Sequence, residues 1–175
     1  EGRHHLSVNS AKQLHHLDLL SGLMRRFAQT GDAVDGLQWA LPYVLETLSA
    51  EAGSLFLHRP DEGVLECAVC VGPVDVTGLK VPQDKGLVGR AFTEGEGELV
   101  ADATKDKAHF KAADSGTGFQ TLSTATAPVK SKDKTFGAIQ AINRRDGDEI
   151  GNFTNADLTL LEALAEILAL ALSNV

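Results

Sequence analysis

The sequence predicts an α+β sandwich: a mostly antiparallel sheet of about six strands, with helices from both chain ends on one face and short helices and loops over the other. Three observations carry this. Apolar residues recur at helical spacing near both ends of the chain, the period falls to two between Gly53 and Arg144, and Gly/Pro/Asp clusters punctuate the middle. With 175 residues, 43% of them hydrophobic, the chain is long enough for one sizeable core.

Residues 1–9, with His4-His5 and no apolar pattern, are set aside as a tail, and residues 10–175 are read as one domain. Ser10 to Gln29 carries Leu14, Leu17, Leu20, Leu23, Met24 and Phe27 as an apolar stripe, and Thr30-Gly31 ends that helix. Asp32 opens a second helix, with Asp35 three residues on and Val34, Leu37, Leu41, Val44, Leu45 and Leu48 as its stripe. Pro42 predicts a bend or break near Leu41, since an interior proline costs about 3 kcal/mol.

Gly53 to Arg59 and Val64 to Val71 read as antiparallel strands joined by Pro60-Asp61-Glu62-Gly63. A short strand over Gly78 to Val81 follows, then a short helix in KGLVGRAFTEG closed by Gly95, and another short strand over Glu98 to Ala101. Residues 102–118 form a long connection with one helical turn expected near His109. The last hairpin pairs Thr121–Lys130 with Thr135–Arg144. A final helix runs from Asn155 to about Leu172, where Leu158, Leu161, Leu164, Leu168 and Leu172 share one side while Leu160, Ile167 and Leu170 widen the apolar surface. That width implies a second partner, so the terminal helices are expected to pair between two copies of the chain.

The polar residues of the middle region point to a binding site. In the strand after Lys134, Phe136, Ala138, Gln140 and Ile142 face one way and Thr135, Gly137, Ile139 and Ala141 the other. Gln140 then lies in an apolar row, where an unpartnered amide would cost roughly 1–3 kcal/mol. Either a serine or threonine of the adjacent strand or a bound molecule must satisfy it. Upstream, Asp114, Thr117 and Thr121 add polar groups on a Gly-punctuated segment that reads as a lid.

Charge and motifs exclude several classes. A net charge of −8 without a Lys/Arg cluster argues against nucleic acid. No apolar run approaches the ~20 residues of a membrane span, and two cysteines fit a reducing cytoplasm. Cys67-Ala68-Val69-Cys70 has redox spacing but lies in a strand pattern, where residues three apart face opposite sides, so both are read as packing residues. His4, His5, His15, His16, His58 and His109 show no zinc-site spacing, and nucleophile-elbow, Walker and metalloprotease motifs are absent.

The order of elements, Asn143-Arg144, Phe153 and Asp157, and the segment ADSGTGFQT together resemble a GAF domain over about Asp18 to Val175. More narrowly, they are similar to the cyclic-nucleotide-binding GAF domains of phosphodiesterases and bacterial adenylyl cyclases. In that signature Arg144 replaces a lysine, keeping a possible salt bridge to Asp157, and Leu158 replaces a glutamate. Asp157 equally fits a capping box with Thr154. The resemblance implies that Ser54 contacts ligand from the first strand, that the Leu87 and Val88 amides meet a cyclic phosphate, and that Phe110, Asp114, Thr117, Thr121 and Gln140 line the pocket. Cys70 and Val71 stand where those members have Phe-Asp, a base contact. The helix opened by Gly86 suits a phosphate monoanion, because its N-terminus offers free amides and about half a positive charge.

The expected role is therefore regulatory, not enzymatic: a cytoplasmic sensor of cAMP or cGMP that needs no cofactor or metal, works as a homodimer, and signals through its terminal helices to a covalently linked output domain. The alternative is a GAF module for dimerisation or protein contacts without a nucleotide. A methionine sulfoxide reductase is disfavoured because Cys67 and Cys70 do not fall where that resemblance would keep reactive cysteines.

Overall fold

The computed structural model describes residues 2–108 and 118–173, and within these the side chains from residue 11 onward except 12 and 13. The elements run α1 (Gly2–Thr30), α2 (Ala33–Thr47), β1 (Ala50–Arg59), β2 (Val64–Val71), β3 (Lys80–Pro82), α3 (Gly86–Glu94), β4 (Glu98–Val100), a single 3-10 turn (Ala103–Lys105), β5 (Thr124–Lys130), β6 (Thr135–Asp146), β7 (Glu149–Gly151) and α4 (Asn155–Ser173). All strand pairs are antiparallel, in the order β3-β2-β1-β6-β5-β4, with β7 folded back onto β6.

The sheet has two unequal faces. Leu55, Leu57, Ile139, Ala141, Ala125 and Ala127 meet α2 and α4 in the main core, together with Leu37, Leu41, Leu161, Leu164 and Leu168. On the opposite face, Phe56, Leu65, Cys67, Val81 and Ala138 pack with Val88 and Ala91 of α3 in a smaller cluster. The alternation predicted for β6 holds from Gly137 to Ile142 but fails at Phe136. Between Val129–Gly137 and Lys130–Thr135 the register slips, so Phe136 is the extra residue of a bulge and packs against the helix-side cluster instead.

Local signals set the helix ends. Asp32 caps α2 by accepting from the Val34 and Asp35 N–H groups at 3.0 and 3.2 Å. Thr154 and Asp157 form a reciprocal box at α4: the Thr154 N–H donates to Asp157 at 2.8 Å and the Asp157 N–H to the Thr154 hydroxyl at 3.2 Å. Gly95 closes α3 in the left-handed conformation at φ 72°.

Several expectations need correction. α1 starts at Gly2, not Ser10, and its Leu14, Leu17 and Met24 are exposed while Leu23 is buried. The described part of the long connection contains a helical turn at Ala103–Lys105, while the turn expected near His109 lies outside the described residues. α2 runs through Pro42 without the break, because the stripe on both sides of it is buried (Leu37, Ala40, Leu41, Val44, Leu45) while Pro42 and Gln38, the residue one turn back, are exposed. The proline is thus tolerated at a cost. Pro42→Ala is expected to stabilise the domain by about 2 kcal/mol, the helix gain less the entropy returned to the unfolded chain. Urea unfolding checks this; an unchanged or lower midpoint would contradict it.

Candidate functional site

The second face of the sheet holds a cavity between β1, β2, β6, the start of α3 and the 119–121 segment. Its floor is a row of side chains in register across three strands: Cys70 of β2 opposite Ser54 of β1, and Ser54 opposite Gln140 of β6. Thr126 of β5 continues the row beyond Gln140. Because side chains alternate along each strand, these three pairings bring all four residues to the α3 side. Apolar walls come from Phe56, Val74, Val76, Val81, Phe119 and Ile142, and no Asp, Glu, Lys or Arg is among the described lining residues. The cavity has a volume of about 100 Å³ and opens to solvent at its mouth.

Gln140 answers the question its pattern poses. Its Nε2 donates to the Thr126 hydroxyl at 3.0 Å, so the adjacent strand satisfies one of its groups. The amide oxygen and the second N–H, on a residue 8% exposed at the cavity floor, have no other partner among the described residues. Ser54 and Thr121, 4% and 5% exposed, add two hydroxyls to the same wall. The Thr124 hydroxyl, opposite Ile142 on β6, is buried without a partner among the described residues.

The roof is the N-terminus of α3. Gly86, Leu87 and Val88 line the cavity, and Lys85 at the cap position makes no side-chain hydrogen bond to the first turn. The opening amides of a helix have no intrahelical acceptor, and here no side-chain cap supplies one, so they present donors and a partial positive charge to the cavity. Gly89 lets this turn sit close to the loop before it: a Cβ there would lie 3.0 Å from the Gln83 carbonyl oxygen. Arg90, one turn into α3, donates to both Asp106 oxygens at 2.9 and 2.8 Å and also pairs with Glu98, which ties the helix to β4 and to the connection after it. Its guanidinium is held protonated far above the usual range, first by Asp106.

The two cysteines do not face opposite sides. Between Leu55–Val69 and Phe56–Cys67 the β1–β2 register slips by one residue, so Ala68 is extra and the strand's alternation is reset. Cys67 and Cys70 therefore share the cavity face, Cys67 buried behind Cys70. Each thiol is the largest influence on the other's ionisation. Hydrogen bonding from Cys67 lowers the Cys70 pKa to about 6, against opposing desolvation, while the same contact and burial push Cys67 up.

Of the expected site residues, Ser54, Leu87, Val88, Thr121 and Gln140 come together around this one cavity. Phe110, Asp114 and Thr117 lie outside the described residues. The motif residues serve the frame instead. Asn143, 2% exposed and at φ 59°, accepts from the Leu122 N–H at 2.7 Å and donates to the Gln120 carbonyl at 2.8 Å, fixing the segment that carries Thr121. Arg144 reaches Asp157 at 3.4 Å and the Asn152 carbonyl at 3.1 Å, so Asp157 both caps α4 and pairs with β6. Phe153 is buried in the main core. Sequence reasoning missed Phe119 and Val74, which carried no readable signal, and anticipated a serine or threonine beside Gln140 without naming Thr126.

Comparison with known proteins agrees with this architecture. The GAF domain family model matches residues 33–172. A dual 3′,5′-cyclic-AMP and -GMP phosphodiesterase 11A from Takifugu rubripes is 31% identical over 97 residues, 55% of this chain and 10% of the relative, so the chain spans about a tenth of that protein's length. Among solved structures, the GAF domain of a phosphoenolpyruvate-protein phosphotransferase from Coxiella burnetii superposes with a TM-score of 0.79 at 18% identity, covering 92% of this chain and 94% of that one. A free methionine-R-sulfoxide reductase from Neisseria meningitidis gives 0.74 at 21% identity, covering 90% and 88%. At those identities the likeness is one of fold. With the family model covering most of its length, the chain belongs to the GAF domain family.

Proposed function

We propose that this domain is a regulatory, non-catalytic sensor that binds a cyclic purine nucleotide in the cavity under α3. The observation that carries the reading is the combination, in one cavity, of an uncapped helix start at Leu87 and Val88 with the polar row of Ser54 and Gln140. A cyclic phosphate is a monoanion and suits the helix amides, which need no arginine to hold it. Gln140, whose amide oxygen and second N–H have no partner among the described residues, suits a base edge, and Thr121 a ribose or base hydroxyl contact. The phosphodiesterase relative, named for both cAMP and cGMP, favours the same ligand class.

Output passes through the helix layer. Leu14, Leu17 and Met24 of α1 and Leu170 of α4, each more than half exposed, favour pairing with a second copy and transmission to a linked output domain. The same residues favour a second reading, a self-association module without a nucleotide. No described helix is long and apolar enough to cross a membrane, and we place the protein's work in the cytoplasm as part of the proposal.

A thermal-shift series with cAMP, cGMP, the matching 5′-monophosphates and unrelated metabolites separates the two readings. A ligand at 100 times its dissociation constant adds about 2.7 kcal/mol, which is several degrees for a domain of this size. The expected result is a shift with one or both cyclic nucleotides and little with the dianionic monophosphates. No shift with either cyclic nucleotide would overturn the sensor reading in favour of the association module.

A further inference from the structure

We propose that Cys67 and Cys70 are a redox-active dithiol in the cavity wall, in which a hydroperoxide oxidises Cys70 and Cys67 resolves it to an intrachain disulfide. The placement rests on the β2 bulge. Without Ala68 as an extra residue, two cysteines three apart would sit on opposite faces; with it, they occupy neighbouring positions of one face, across from Ser54 and Phe56. Cys70 lines the cavity and is half-buried, whereas Cys67 is 1% exposed and packed beneath with Phe56 and Val81. A small oxidant entering the cavity therefore meets Cys70 first.

The surroundings suit that division of labour. Cys70 Sγ lies 3.5 Å from the Val74 carbonyl, and the Val76 backbone favours its thiolate, as does hydrogen bonding from Cys67. Asp75 is the charged group that acts on both sulfurs, and it opposes ionisation. Cys67 Sγ lies 3.4 Å from the Val69 carbonyl oxygen and stays protonated, the form in which it meets a sulfenic acid.

The chemistry balances with a hydroperoxide as the only co-reactant. The Cys70 thiolate attacks the distal peroxide oxygen, the O–O bond breaks, and an alkoxide or hydroxide leaves and takes a proton, giving the Cys70 sulfenic acid. The Cys67 sulfur then attacks Cys70, the S–S bond forms, the S–O bond breaks, and the oxygen departs as water with the Cys67 proton. Two thiols lose two electrons and the peroxide gains them. The partners Ser54 and Phe56 are two residues apart, which at about 3.3 Å rise per residue puts the cysteines roughly 6–7 Å apart along the strand. That is the upper end of the span a disulfide bridges, so the bond is one that small thiols reduce readily, as in a reversible switch.

The test is intact-mass analysis of the folded protein after a few equivalents of hydrogen peroxide. The expected product is a monomeric chain lighter by two hydrogen atoms, with neither cysteine open to alkylation until a thiol reductant is added. Cys67→Ala should stop at a sulfenic acid on Cys70 that dimedone traps, and Cys70→Ala should leave Cys67 reduced. In the untreated protein, alkylation of Cys70 should reach half its maximal rate near pH 6, well below an ordinary thiol. Retention of both free thiols in the wild type, a disulfide between two chains, or oxidation of Cys67 in the Cys70→Ala protein would each overturn the proposal, whether or not a nucleotide binds.

Discussion

Asn143→Ala should cost roughly 3–5 kcal/mol of stability, because three separate penalties fall on one residue. The Leu122 N–H and the Gln120 carbonyl both lose the carboxamide that satisfies them, at 2.7 and 2.8 Å. Each unmet group in a part-buried setting costs about 1–3 kcal/mol. Alanine must also hold φ near 59°, where a side chain without a local hydrogen bond is strained by about 1–2 kcal/mol. Asn143→Gly relieves the strain and Asn143→Asp keeps the acceptor for Leu122, so both should fall between alanine and the natural residue. Urea midpoints at constant m-value check this order; an alanine variant within about 1 kcal/mol of the parent would show that the carboxamide does not hold this segment. Since the 120–122 segment carries Thr121 to the cavity, nucleotide affinity should fall with it.

The second large effect separates stability from binding at Gln140. Gln140→Leu strands the Thr126 hydroxyl in the interior and is expected to destabilise by about 1–3 kcal/mol. Adding Thr126→Val removes the other partner and should recover most of that loss, because replacing both members of a buried pair leaves nothing unsatisfied. Binding should not recover. Both variants lose the amide that faces the cavity, and the affinity for the nucleotide that stabilises the parent is expected to drop by roughly ten- to hundredfold, the worth of one or two such hydrogen bonds. Calorimetric titration of the parent, the single and the double variant decides it. Affinity restored along with stability in the double variant would mean that Gln140 supports the sheet and does not touch ligand.

These two residues also mark how far the sequence could be read. Period-two alternation put Gln140 on an apolar face, and the structure places it there; a serine or threonine of the adjacent strand was one of two expected ways to satisfy it, and that residue is Thr126. The same rule failed wherever a strand gained a residue. The bulges at Ala68 and Phe136 reset alternation, and nothing in ECAVC or KTFG announces them, because a bulge is decided by the partner strand. β7 was missed for a different reason: three residues are too few for a pattern, although Asp146-Gly147 is a turn signal and Gly147 sits at φ 64°. Pro42 reads as a breaker only while the burial of its neighbours is unknown. The role of Asn143 as a tie for a segment twenty residues upstream depends on tertiary placement that no local pattern encodes.

In the proposed binding mode α3 meets an anion while Gln140 meets a base, and a titration of the isotope-labelled protein followed residue by residue in amide spectra reads both ends at once. Adding the cyclic nucleotide that raises the melting temperature should move the backbone amides of Leu87 and Val88 and the side-chain amide of Gln140 together, with one saturating dependence on ligand. Shifts confined to α1 and α4, or absent at Leu87 and Val88 while the protein is saturated, would contradict the placement of the ligand in this cavity.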